Sequence, residues 1–178
     1  MNEQLFSLQP FPFENLPPDV QITGTISRNH HQLAISYKLL GKLTEIAIAS
    51  PSDTPSRKHE LWQNTCFELF IGIKNSERYW EFNLSPSGDW NVYRFEGYRQ
   101  GMQEEIAFNN LLFCVDKSDI CTLTLDVDLD KIISTNQGIE VAITTVLKQK
   151  NSLVTYWALA HKGTKPDFHL RDSFVIEF

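Results

Sequence analysis

The 178-residue chain is 42% hydrophobic and 21% charged, with 8 glycines and 8 prolines, which suits one apolar core without disulfide or metal staples and excludes collagen-like and disordered classes. Sixteen lysines and arginines against twenty-two aspartates and glutamates leave a net charge of −6, so nucleic acid and anionic membrane surfaces are not expected partners. Residues 1–6 show neither the basic start nor the apolar run of a signal peptide, and no stretch reaches the roughly 18 apolar residues of a membrane helix; the expectation is a cytoplasmic chain forming one domain over residues 1–178, with oligomeric state left open.

Pro10, Pro12, Pro17 and Pro18 around Phe11 and Phe13 predict that residues 1–18 form an extended arm whose phenylalanines pack on the body. Short β-branched and aromatic runs bounded by turn residues then predict about eleven strands, over residues 20–26, 32–39, 43–49, 65–73, 78–84, 89–95, 111–116, 121–129, 139–147, 153–160 and 173–178. His30 and His31 fall in a turn, and the polar residues 50–59 read as a long mobile loop leading to Trp62. Helical spacing is weak over residues 101–110 and one turn long over residues 129–134. The expected fold is therefore all-β, an antiparallel β-sandwich of two sheets. Cys66, Cys114 and Cys121 have no CxxC spacing and read as small buried hydrophobes.

The strands over residues 65–95 carry the chemistry. A four-residue loop at residues 74–77 pairs Ile71 with Trp80, Leu69 with Phe82 and Phe67 with Leu84, giving one apolar face. A four-residue turn at residues 85–88 extends that face to Tyr93 and Phe95. The opposite face then holds Cys66, Glu68, Phe70, Tyr79, Glu81, Asn83, Trp90, Val92 and Arg94, with Glu68 across from Asn83 and Glu81 on the diagonal. Fixed hydrogen-bonding groups beside flat rings suit a sugar, whose hydroxyls donate and accept around an apolar C–H face. A solvated outer face that keeps the sheet soluble is the plain alternative.

The segments Trp62-Gln63-Asn64-Thr65-Cys66-Phe67-Glu68-Leu69-Phe70-Ile71 and Tyr79-Trp80-Glu81-Phe82-Asn83-Leu84-Ser85-Pro86-Ser87-Gly88-Asp89-Trp90 resemble DOMON-like domains related to family 9 carbohydrate-binding modules, with weaker agreement at residues 166–169. The resemblance implies an immunoglobulin-like or jelly-roll sandwich whose cleft binds sugar, or haem in some DOMON domains. It also implies that Trp62 and Glu68 match the first clamping tryptophan and the hydroxyl-binding glutamate, with Trp157, Phe168 or His169 on the other side.

The expected activity is non-catalytic binding of a mono- or oligosaccharide: Trp62 stacks, Glu68, Glu81 and Asn83 accept, Arg94 donates, Trp90 or Trp157 closes the cleft, and His161, Asp167 and His169 line it. No cofactor or metal is expected. The alternatives are haem on Met102, His161 or His169, a glycoside-processing enzyme using Glu68 and Glu81 as a carboxyl pair, and a protein-interaction module. Asp126, Asp128 and Asp130 have DxDxD spacing, but Lys131 and Gln137 stand where a calcium loop needs Gly and Glu. No GxSxG elbow is present.

Overall fold

The computed structural model describes residues 2–12, 17–111, 113–117, 120–134 and 136–178. Among them twelve strands follow in chain order: β1 Asn2–Pro10, β2 Val20–Asn29, β3 Gln32–Gly41, β4 Cys66–Ile73, β5 Tyr79–Leu84, β6 Trp90–Phe95, β7 Gln103–Glu104, β8 Phe113–Lys117, β9 Cys121–Asp128, β10 Ile139–Lys148, β11 Val154–Ala158 and β12 Ile176–Glu177. Among the described residues helix is limited to 3₁₀ turns at Leu43–Glu45, Leu61–Gln63, Leu129–Lys131 and Arg171–Ser173. No described helix is long and apolar enough to cross a membrane.

The all-β, antiparallel expectation holds, but two separate sheets do not form. One curled sheet runs β7-β6-β5-β4-β10-β11-β1-β2-β3-β9-β8, with β12 added beside β10. The joint is β1, which falls in the stretch expected to be an extended arm and is instead a paired strand. Its residues from Asn2 to Leu8 pair with β2, and Gln9 and Pro10 then pair with Ala158 and Trp157 of β11. A strand that changes partners along its length welds two halves into one sheet. Its period of two is visible afterwards: Leu5 is exposed while Phe6 and Leu8 are buried. Phe6 lies over Gly24, where an added Cβ would fall 2.4 Å from Phe6 Cζ and 1.9 Å from the Ser36 carbonyl oxygen, so only glycine fits.

Because the sheet curls, its two halves face one another across a single core. Tyr37 of β3 sits between them, its ring 5.5 Å from Phe6 and 5.2 Å from Phe67. Its hydroxyl donates to the Glu68 backbone oxygen at 2.7 Å, which satisfies the one polar atom the ring brings inside.

Several local expectations change. Residues 43–49 form a 3₁₀ turn and a single bridge, Ile46 to Gln149, in place of a strand. Residues 101–110 are not helical, since Met102 and Ile106 are exposed and supply no apolar face. Residues 50–59 are pinned along β6: Ser52 N–H donates to Ser87 O, Lys58 N–H to Trp90 O and Trp90 N–H to Ser56 O. Arg57 stacks 4.4 Å over the Trp90 ring and donates to Asn91 Oδ1 at 2.7 Å. Phe11 does pack on the body, 5.1 Å from the His161 ring, while Phe13 lies outside the described residues. Cys66 and Cys121 are buried as expected, but Cys114 is exposed.

Candidate ligand-binding site

The β4–β5 register agrees with the sequence, including Glu68 opposite Asn83. The β5–β6 register slips by one residue. Leu84 pairs with Trp90, so the turn spans residues 85–89, closed by Ser85 N–H to Asp89 O and Gly88 N–H to Ser85 O. Gly88 supplies the positive φ of 94° that this longer turn requires. A slip of one residue exchanges the faces of a strand. Trp90 and Val92 therefore enter the core, while Asn91, Tyr93 and Phe95 join Glu68 and Glu81 on the other face.

That outer face is buried too: Glu68, Phe70, Tyr79, Glu81, Asn83 and Phe95 are all nearly inaccessible, because loops fold over it. They leave a cavity of about 360 Å³, within the range usual for small-molecule sites. Its floor is Glu68 and Phe70 of β4, Glu81 of β5 and Phe95 of β6, with Val146 and Tyr156 from β10 and β11. Trp62 contributes one wall from its 3₁₀ turn, Arg99 and Met102 another from the β6–β7 loop, and residues 166–169 a third. The Trp62 ring is held edge-on against Tyr93 at 5.8 Å, and Phe168 against Tyr156 at 6.0 Å.

The floor is acidic. Glu68 Oε2 accepts from Thr144 Oγ1 at 3.0 Å, and Glu81 Oε1 accepts from Asn83 Nδ2 at 2.9 Å. Burial pushes the Glu68 carboxyl well above the ordinary carboxylate range, and the neighbouring Glu81 pushes it further. Burial also raises Glu81 to about 7, against the opposing hydrogen bond from Asn83 and the charge of Arg99.

His169 sits beside them. Its Nδ1 lies 2.8 Å from the Tyr79 hydroxyl, and its Nε2 faces Glu81 Oε2 at 3.7 Å. Tyr79 oxygen already accepts from the Arg99 N–H at 3.2 Å. The phenol proton then goes to Nδ1, leaving the imidazole proton on Nε2, towards Glu81. Burial and the Arg99 charge lower His169 to about 4, so the ring is neutral at physiological pH. Asp167 is held ionised by Tyr98, by the His169 N–H and by Arg99, whose guanidinium donates to it at 2.9 Å.

Of the residues singled out in the sequence, the structure brings Trp62, Glu68, Glu81, Asp167 and His169 to one cavity, with Asn83 beneath it on Glu81. Four are placed elsewhere. Trp90 and Trp157 are buried in the main core. Arg94 leaves the Glu68 face with the register slip and pairs with Glu96 and Gln103. His161 packs on the N-terminal arm, Nε2 2.9 Å from Gln9 O. Arg99, Met102 and Tyr156 line the cavity without having been singled out for a sugar site; the first two lie in a loop and Tyr156 on a short strand, so no periodic pattern points to them. His31, Asp128 and Asp130 bring polar atoms within 4.8 Å of one another, and Asp128 Oδ1 accepts from the Asp130 N–H.

No protein-family model and no curated protein matches the sequence. The fold does have a counterpart among solved structures. A crystal structure from Bacteroides uniformis ATCC 8492, of a protein proposed to bind carbohydrate, superposes with a TM-score of 0.66 at 13% identity, over 94% of this chain and 84% of that one. At that identity the likeness is one of fold.

Proposed function

We propose that this chain is a non-catalytic binding domain for a mono- or short oligosaccharide, held in the cavity over β4, β5 and β10. The observation that carries the reading is the composition of the cavity: Trp62, Phe70, Phe95 and Phe168 offer rings, while Glu68, Glu81, Asp167 and Arg99 offer acceptors and donors within one enclosure. That pairing matches a pyranose, which has an apolar C–H face and a hydroxyl edge. The fold shared with the Bacteroides uniformis protein supports it, as does the resemblance of the strands around Glu68 and Glu81 to DOMON-like domains and family 9 carbohydrate-binding modules.

The site supports binding directly, since Glu68 and Glu81 are already held by Thr144 and Asn83 beside the aromatic lining; turnover of a glycoside that Glu68→Gln abolishes while affinity survives would favour the enzyme reading instead. The site disfavours haem on His169, whose ring nitrogens are directed at Tyr79 and Glu81. A thermal-shift screen of simple sugars against wild type and Trp62→Ala tests the reading. A sugar-dependent rise in Tm that the variant loses is expected; no rise with any sugar overturns it.

A further inference from the structure

The cavity has more acid in it than a neutral sugar requires. Four lining groups can carry charge besides His169: Glu68 and Glu81 on the floor, and Asp167 and Arg99 at the rim. Asp167 and Arg99 neutralise each other as an ion pair at 2.9 Å. Among the described residues neither glutamate is ion-paired to a lysine or arginine: Thr144 and Asn83 each donate to one oxygen, the imidazole Nε2 lies 3.7 Å from Glu81, and Arg99, engaged with Asp167, acts on Glu81 through its charge alone. Around them stand the faces and edges of Trp62, Phe70, Phe95, Tyr156 and Phe168. Carboxyls at the base of an aromatic enclosure are the arrangement that holds an ammonium group, through charge below and ring quadrupoles at the sides.

Resting on the sugar reading above, we infer that the sugar this cavity takes is an amino sugar with a free ammonium group, directed at Glu68 and Glu81. Burial, and for Glu68 also the neighbouring Glu81, favours the protonated form of these carboxyls. A bound ammonium takes the place of one such proton, so binding releases one proton to solvent.

The groups facing the glutamates settle the pH dependence. His169, lowered to about 4, is neutral throughout the range from pH 5 to 7. Asp167 is lowered and Arg99 raised, so both keep their charges, and Tyr79, raised to about 12, keeps its proton. Only Glu68 and Glu81 change ionisation on binding in that range. Below the pKa of the free site, one proton released per ligand makes affinity rise about tenfold per pH unit. A neutral sugar releases none.

Calorimetry on the whole chain tests this with matched pairs, glucosamine against glucose and galactosamine against galactose, and with choline as an ammonium without a sugar, at about pH 5.5 and about pH 6.5. The expected result is that one hexosamine binds about tenfold or more tighter than its neutral partner, gains affinity between the two pH values, and loses that gain in Glu81→Gln. Equal, pH-independent binding of amino and neutral sugars overturns this inference and leaves the sugar reading standing. Binding of choline alone, with the same pH rise, supports the ammonium site and overturns the sugar reading. No binding by a folded protein overturns both, and because the wild-type pairs decide the matter, the outcome does not depend on the variant folding.

Discussion

The two faces of β4 and β5 are equally buried and chemically opposite. One presents Phe67, Leu69, Ile71, Trp80, Phe82 and Leu84 to the main core. The other presents Cys66, Glu68, Phe70, Tyr79, Glu81 and Asn83, also sealed from bulk water, but around a cavity. The apolar face explains why the sheet folds. The polar face works against folding, since buried carboxyls lose hydration that Thr144 and Asn83 restore only in part. Strands that carry such groups inward on one face while packing normally on the other have the form of a scaffold with a site built on it.

The contrast is sharpest in the response to truncation. Phe82→Ala, on the core face, should lower stability by about 3–5 kcal/mol through lost burial and a cavity that cannot collapse, measured by denaturant unfolding. A loss under 1 kcal/mol would mean that the curled core is not the main support of the fold.

On the other face the sign reverses. Glu81 has a folded pKa raised to about 7 against about 4.3 in the unfolded chain. Between those values the folded state keeps a proton that the unfolded state has released, so this group makes stability fall as pH rises, by on the order of 3 kcal/mol across the window. His169, depressed to about 4, acts in the opposite direction below its unfolded value of about 6.5, and it is present in both proteins. Unfolding curves of wild type and Glu81→Gln from pH 4.5 to 7 should therefore show the variant gaining steadily on wild type. Parallel curves would place Glu81 in a wetter site than the structure gives it.

How much of this was legible beforehand follows the same division. The β4–β5 hairpin was readable because residues 74–77 close it and apolar residues alternate on both strands, so Glu68 opposite Asn83 emerged from counting alone. The next turn was not. Ser85-Pro86-Ser87-Gly88 looks complete at four residues, yet Asp89 joins it as hydrogen-bond acceptor for Ser56, Lys58 and Ser87. That single residue sends Trp90 and Arg94 to the other side. β1 went unread as a strand because residues 1–18 look like a proline-rich arm and no short turn motif in residues 11–19 announces its antiparallel pairing with β2. Arg99 reaches the cavity from a turn with φ of 52°, a position that only the tertiary fold specifies.

Smaller effects separate the cavity from its surroundings. Trp62 is only half-buried, so Trp62→Ala should weaken ligand affinity by about 1–3 kcal/mol, read by titration, and leave the fold intact. Arg94→Ala, in contrast, should change affinity by less than about 0.5 kcal/mol, because its side chain lies outside the cavity. An Arg94 effect as large as that of Trp62 would mean that the ligand sits elsewhere on the sheet.

The most direct measurement is an NMR titration of the labelled protein with the best sugar from the thermal screen. Saturable shifts concentrated at Glu68, Glu81, Arg99 and residues 166–169, with β2, β3 and β9 unmoved, are the predicted result. Shifts centred on β2, β3 and β9, or none that saturate, would contradict the cavity as the binding site.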